Sequence, residues 1–445
     1  MSKFNYLRNI VANLGQLNLA ANLDPNTPSV ITEHTLQNIP FVKAKLGPGQ
    51  IVGIRKEAAG SLYHLTDTIF TGSADYQHGT TFGELFDEVS DFIIKKFGEW
   101  NPSTIGDAEV CALDDRIASW FQEKVVSAHL YIPCAISTVH AVPLTVGPIS
   151  FTHINDFLVQ EHGFIEKLGV MFDPLLDSMR SQGAFWMATV DVIGCIKNRA
   201  EELGDLAVDI ALVGLQLVMP PDYSQRITRM TARTLPPVRK TVALINGLVS
   251  GTFANQQSGV GIGPGLLEQW LISGKSVLQS VGNRIAGYLS GKTSFPKLEQ
   301  AWCDAAYWFH EGLAEPLDTI AVPKLETALE VLMRAESSKG SKARLLQAIK
   351  VYYGLDANQF INPHSQITVE KFASDFVRDR SRILHGTWST LNTHMRDSRS
   401  DLGVIVRNVL AAWTIDIDTF VRDASALDET EHFLSWAYAR RQTTP

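Results

Sequence analysis

Between residues 296 and 425 the apolar residues recur at the three- and four-residue intervals of an α-helix, run after run. One stripe is Trp302, Ala305, Ala306, Phe309 and Leu313. A second, just after Pro323, is Leu325, Ala328, Leu329, Leu332 and Met333, with the proline suited to a first helical turn. A third is Val406, Val409, Leu410, Trp413, Ile417, Phe420 and Val421. With one more helix ahead of His385 these make at least four amphipathic helices, which bury their apolar faces by packing on one another. A helical bundle over residues 296–425 is expected, followed by a C-terminal tail at 426–445.

The chain has 445 residues, more than the ~250 to 300 that one core usually serves, so two or three domains are expected. Residues 1–156 read as a mixed α/β region, assigned here a regulatory or sensing role, with a helical stretch at Phe82 to Phe97. Within it, VVSAHLYIPCAIST and HAVPLTVGPISFTHI, spanning 125–154, read as strands of a small sheet. Pro133, Pro143 and Pro148 push those strands toward its edges. Residues 157–295 read as a helical middle region with loops. There Ala184 to Met219 carries apolar residues on most faces, as a buried helix does. Pro220, Pro221, Pro236, Pro237 and the loop SGVGIGPG punctuate the end of that region. The fold class is therefore mainly α with a minor β element.

Several function classes are excluded. The longest apolar run, Ile210 to Met219, falls short of the ~20 residues of a membrane span. The N-terminal Phe4, Leu7, Val11 and Leu14 have helical spacing, not the plan of a signal peptide, so a cytoplasmic location is expected. The four cysteines, Cys111, Cys134, Cys195 and Cys303, form no CxxC pair and read as reduced, packed thiols. Ser290-Gly291-Lys292-Thr293 matches the end of a phosphate-binding P-loop, but Ala286 stands where the first glycine belongs. The glycines from Gly259 to Gly265 do not spell a dinucleotide fingerprint and read as a flexible loop. None of the twelve histidines has the spacing of a zinc motif. No metal and no cofactor are implied. The net charge of −8 means that any binding of nucleic acid must use a local basic patch.

One helix departs from the bland pattern. Over Val369 to Leu384 the apolar phase is Val369, Phe372, Phe376 and Ile383, and Arg380 falls on that stripe, about 20° from Val369. A guanidinium there must meet a carboxylate, line a wet cleft or face a second subunit. His385 follows, then Gly386, which suits a left-handed helix cap. A straight helix puts His385 about 140° from Arg380 and about 20° from Arg378. Geometry alone does not choose between the two arginines.

The run Arg380-Ser381-Arg382-Ile383-Leu384-His385-Gly386 resembles the RSxIxHG form of the Arg-x4-6-His motif of Apea-like HEPN domains. The preceding KLETALEVLMR is similar to that family's glutamate-bearing helix, which implies Glu330 as a partner of Arg380. Ser381 stands where many HEPN nucleases carry Asn, Asp or His, as in the Apea-like subset. The resemblance covers about the last 130 residues. It implies a helical-bundle ribonuclease domain that cleaves RNA without metal and builds its site from two copies of the motif in a homodimer.

The residue types suit that chemistry. A histidine that titrates near neutrality moves protons as the ribose 2′-OH attacks the phosphate and a 5′-OH leaves. A fixed arginine stabilises the growing charge on the phosphoryl oxygens. Arg380 and His385 are thus the candidate catalytic residues, with Glu330, Ser381, Arg378 and Arg382 in support. Arg396 and Arg399, with Arg378 and Arg382, either bind RNA phosphates or form a solvated helix face partly neutralised by Asp375, Asp379 and Asp397. A second basic stretch, Arg226, Arg229, Arg233, Arg239 and Lys240, reads either as a guide for RNA or as ordinary surface charge. The resemblance points to an effector of antiphage defence or a toxin-like protein. The alternatives are a non-catalytic HEPN module that binds RNA, nucleotide or protein and dimerises through the bundle, and a helical scaffold whose motif match is accidental, which predicts a monomer with Arg380 paired internally and His385 far from any cleft.

Overall fold

A computed structural model describes residues 2–17, 42–47, 50–230, 239–254, 261, 263–334, 338–361, 366–391 and 395–443. They form a mainly helical protein with a small share of sheet, the fold class expected from the sequence. The chain divides into two compact units, one of Met1–Ala128 with Val192–Glu202, the other of His129–Asp191 with Leu203–Pro445.

The first unit opens with α1 (Lys3–Ala12), which buries Leu7, Ile10 and Val11. Strands β1 (Leu14–Leu17), β2 (Val42–Gly47) and β3 (Gln50–Ile54) make an antiparallel sheet in the order β1-β3-β2. Helices α2 (Ala59–Thr71), α3 (Ala74–Gly79), α4 (Phe82–Lys95) and α5 (Asp107–Lys124) follow. The helical stretch expected from Phe82 is α4. It starts where the Thr81 hydroxyl accepts from the Glu84 amide while the Glu84 carboxylate accepts from the Thr81 amide, a reciprocal cap.

The chain then runs β4 (Val125–Ala135), β5 (Leu144–Val146), β6 (Ile149–His153), α6 (Ile154–Gln160), α7 (His162–Leu168), α8 (Phe172–Gln182), β7 (Trp186–Ile196), α9 (Lys197–Val218), α10 (Pro221–Ser224) and β8 (Thr228–Arg229). The strands expected at 125–154 are present and belong to a five-stranded sheet ordered β5-β6-β7-β4-β8. Pro143 and Pro148 directly precede the edge strand β5 and its neighbour β6. Pro133 lies inside β4, whose outer side is covered only by the two-residue β8.

One expectation is corrected here. Ala184 to Met219 is not helical throughout, because its first half is β7. That strand has β6 on one side and β4 on the other, and Trp186, Met187 and Ala188 are buried in succession. Over Trp186–Ala188 both faces are covered, and periodicity does not separate such a run from a buried helix, whereas further along Asp191 and Ile193 are exposed. The second half is α9, buried over most of its length.

A hairpin of β9 (Arg239–Ile245) and β10 (Leu248–Ala254) precedes the helical part of the second unit. Its helices are α11 (Pro264–Ser273), α12 (Lys275–Ser290), α13 (Pro296–Ala314), α14 (Asp318–Leu332), α15 (Ser338–Tyr353), α16 (Val369–Leu384), α17 (Arg396–Phe420) and α18 (Thr430–Thr443). Residues 259, 260 and 262 of the glycine loop lie outside the described residues. Helices α13 and α14 run along each other, α17 lies against α12, α13 and α14, and α15 contacts α16 and α18. Trp302, Phe309, Trp413 and Phe420 are fully buried among them, and the Trp302 indole donates to the Leu410 carbonyl at 3.0 Å.

Two boundaries differ from the sequence reading. Helix α14 begins at Asp318, so Pro323 lies inside it and not at its first turn. Residues 430–443, expected as tail, are α18, whose Phe433 packs on Trp413 and Phe420. Gly147, at φ +58 between β5 and β6, lets that turn rest on α12. A Cβ there would stand 2.5 Å from the Cα of Gly282. Among the described residues no helix is long and apolar enough to cross a membrane.

Candidate active site

Helix α16 carries the motif, and its ends are built by side chains and a glycine. At the start the Thr368 hydroxyl accepts from the Lys371 amide at 3.2 Å. Val369, Ala373, Phe376 and Ile383 form the buried stripe, with Phe372 stacked on Phe376. At the end His385 is the capping residue and Gly386 takes φ +69. The Gly386 amide donates to the Ile383 carbonyl at 3.0 Å and the Thr387 amide to that of Arg382 at 2.9 Å. These two bonds close the helix in a Schellman turn, which only a left-handed residue permits.

Arg380 turns from the stripe toward α14. Its Nη1 donates to Glu330 Oε2, and the other oxygen of Glu330 accepts from the Ser341 hydroxyl on α15. Its Nε lies 4.0 Å from Glu326, one turn earlier on α14. Arg380 is 25% exposed, so the pair with Glu330 holds α16 to α14 from a partly wet position. Glu326 is 1% exposed, and neither of its oxygens has a hydrogen bond from a described residue. Burial pushes its carboxyl up to about 9 despite the pull of Arg380, and Glu330 and Asp379 add to the rise. At neutral pH Glu326 is therefore protonated. A crevice beside Glu326, Glu330 and Ser341 has room for about one water molecule.

Sequence reasoning missed Glu326. The signal was present, since Val322, Leu325, Glu326 and Leu329 share one helical stripe, the same test that singled out Arg380.

The other motif residues face outward. Arg378 is exposed and paired with Asp375 at 2.7 Å and Asp379 at 2.9 Å. Ser381 is exposed, and its carbonyl accepts from the His385 amide at 3.0 Å. The exposed Arg382 guanidinium lies 5.0 Å from the centre of the Trp388 ring. His385 is exposed, with no side-chain hydrogen bond to a described residue. Arg399, expected as a phosphate contact, is committed to structure. It bonds Asp318 at 2.9 Å and the Leu313 carbonyl at 3.1 Å, tying α17 to α13 and α14. The side chain of Arg396 lies outside the described residues, as do those of Arg233, Arg239 and Lys240. Arg229 is bound to Asp205 and Asp209, while Arg226 is exposed.

Within one chain, then, Arg380 is paired inside the bundle and His385 faces solvent. Close to His385 in sequence two large apolar side chains face solvent, Leu384 at 61% and Leu391 at 80% exposure. Of the cysteines, Cys134, Cys195 and Cys303 are buried thiols pushed up by burial, whereas Cys111 is exposed, against the expectation of packing for all four. Comparison with protein-family models, with curated proteins and with solved structures gives no match.

Proposed function

We propose that this chain is a metal-independent endoribonuclease of HEPN type, working in the cytoplasm as a homodimer and serving as an effector of antiphage defence or toxin-like growth arrest. The reading rests on the Arg380–His385 motif at the end of α16, where His385 is an exposed capping residue. One chain alone supplies half a site. A second copy docked over the solvent-facing Leu384 and Leu391 brings its own motif to the same cleft, and each buried leucine contributes about 1.5 to 3 kcal/mol. The histidines then move the protons of 2′-OH attack and 5′-OH departure, and the arginines stabilise the phosphoryl oxygens. DNA, lacking the 2′-OH, is not cut by this route.

A second reading is favoured by one observation, the internal pairing of Arg380. An arginine bonded to Glu330 serves a non-catalytic HEPN module equally well, as a structural tie in a bundle that binds RNA, nucleotide or protein. Cleavage of a mixed pool of tRNA and single-stranded RNA in EDTA separates the two. Wild type is expected to cut and leave 2′,3′-cyclic phosphate ends, with cutting lost in Arg380→Ala and His385→Ala and kept in Arg378→Ala. Loss in Arg378→Ala alone moves the arginine role to that residue, and an inactive wild-type dimer favours the binding module.

A further inference from the structure

A recess of about 440 Å³ opens beside the C-terminal end of α12, the loop leading to α13 and the last turn of α17. Its size is that of a small-molecule site. On one wall lies Arg284, 4% exposed, whose Nη2 donates to Asp418 at 2.6 Å. Its Nε lies 3.3 Å from Glu299, yet Nε and Nη1 have no hydrogen-bond partner among the described residues. Each buried N–H left without a partner costs about 1 to 3 kcal/mol, so such a group calls for an explanation. Each oxygen of Asp418 accepts one bond, the second from the Asn283 amide at 2.9 Å. The wall thus holds two guanidinium nitrogens without a hydrogen bond, beside the carboxylates of Glu299 and Asp418.

The same recess is lined by Lys292 and Arg422, both exposed and neither paired with a described residue. The loop that presents Lys292 is set in shape. Gly291 takes φ +63, the Ser290 hydroxyl accepts from the Lys292 amide at 3.3 Å, and that of Thr293 accepts from the Phe295 amide at 3.4 Å. The first amides of α13 are not part of the site, because Asp428 already caps Lys297 and Leu298 at 2.8 and 3.0 Å. This is not a P-loop, since a helix and not a strand precedes the loop. What the recess offers is cationic side chains.

We propose that this recess binds a phosphate monoester of small-molecule size, a mononucleotide or a sugar phosphate, with the phosphate between Lys292 and Arg422 and the buried Arg284 behind them. A dianionic phosphate supplies the acceptors that the two unpaired rim cations lack, and they balance its charge. The hydroxyls, the Asn283 amide and Glu299 remain for the sugar or base. The proposal does not rest on the nuclease reading.

Calorimetric titration of the full chain at fixed ionic strength tests it, with AMP, ribose 5-phosphate, inorganic phosphate and adenosine as probes. Saturable binding of AMP but not adenosine is expected, weakened about tenfold in each of Lys292→Ala and Arg422→Ala, roughly one charged contact apiece. These positions are exposed, so the unfolding midpoint without ligand should not move. Binding of ribose 5-phosphate as tight as that of AMP identifies a sugar phosphate as the ligand, and weaker binding identifies a nucleotide. No saturable binding of either monoester, inorganic phosphate binding as tightly as both, or AMP binding unchanged in the Lys292→Ala/Arg422→Ala double variant would overturn the proposal.

Discussion

Arg380 and Arg284 are both guanidinium groups set in the helical part of the second unit, each near two carboxylates, and they end in opposite situations. Around Arg284 the pairing is loose: each oxygen of Asp418 takes one bond, Nε lies 3.3 Å from Glu299 without a hydrogen bond, Nη1 has none, and a recess opens alongside. Around Arg380 the Nε likewise has no hydrogen bond, 4.0 Å from Glu326, and the surplus is of carboxylate. Glu330 takes the available bond and one from Ser341, while Glu326 receives none and is held in its neutral form by burial. A buried arginine does not by itself mark a catalytic site. What its neighbours still need decides whether the place calls for an anion or a proton.

The contrast is most severely strained by removing each cation. Arg284→Met should lower stability by about 3 to 5 kcal/mol in urea unfolding, because Glu299 and Asp418 are then left facing each other without compensation. A loss below about 1 kcal/mol would mean that Arg284 is not the centre of that wall.

Glu326 sharpens the other half through pH. Its folded value, near 9, lies above the ordinary 4.5, so the folded state holds a proton that the unfolded chain releases. The stability linked to it is complete below about pH 4.5 and declines as pH rises toward 9, by on the order of 3 kcal/mol at pH 7. Glu326→Gln keeps the shape without the charge, so wild type should lose stability between pH 5 and pH 8 relative to this variant. Parallel pH profiles would show that Glu326 does not carry a buried proton.

Smaller effects are expected at the partly wet pair. Glu330→Gln removes one charged partner of Arg380 and should cost about 1 to 2 kcal/mol, read from the denaturation midpoint. Arg378→Ala should change stability by less than about 1 kcal/mol, since both of its carboxylate pairs are exposed to solvent at the arginine. If Arg378→Ala proved the costlier, the assignment of inward and outward arginines would be reversed.

The parts legible in the sequence were those with a local cause. Helical stripes over Trp302 to Leu313 and Val406 to Val421 follow from periodicity, and the stop at Gly386 follows from the one residue that takes a left-handed cap without strain. What stayed hidden was set by distant partners. Trp186 to Ile196 is a strand because β4 and β6 lie on either side of it, which no local pattern announces. Residues 430–443 are helical because Phe433 finds Trp413 and Phe420. Arg399 looked like a free surface charge until Asp318 and the Leu313 carbonyl came to meet it. Lys292 was read only as part of a failed P-loop, and its relation to Arg284 and Arg422 depends on α17 folding back beside α12.

The most direct test is the rate at which one fluorescent RNA is cut in EDTA by wild type and by His385→Ala, followed across the concentrations over which the chain dimerises. Wild-type cutting per chain should rise with dimer formation, and His385→Ala should be slower by at least about 100-fold, the usual worth of a general acid or base. Equal rates for the two proteins, or a wild-type rate per chain that is the same for monomer and dimer, would contradict a shared site built on Arg380 and His385.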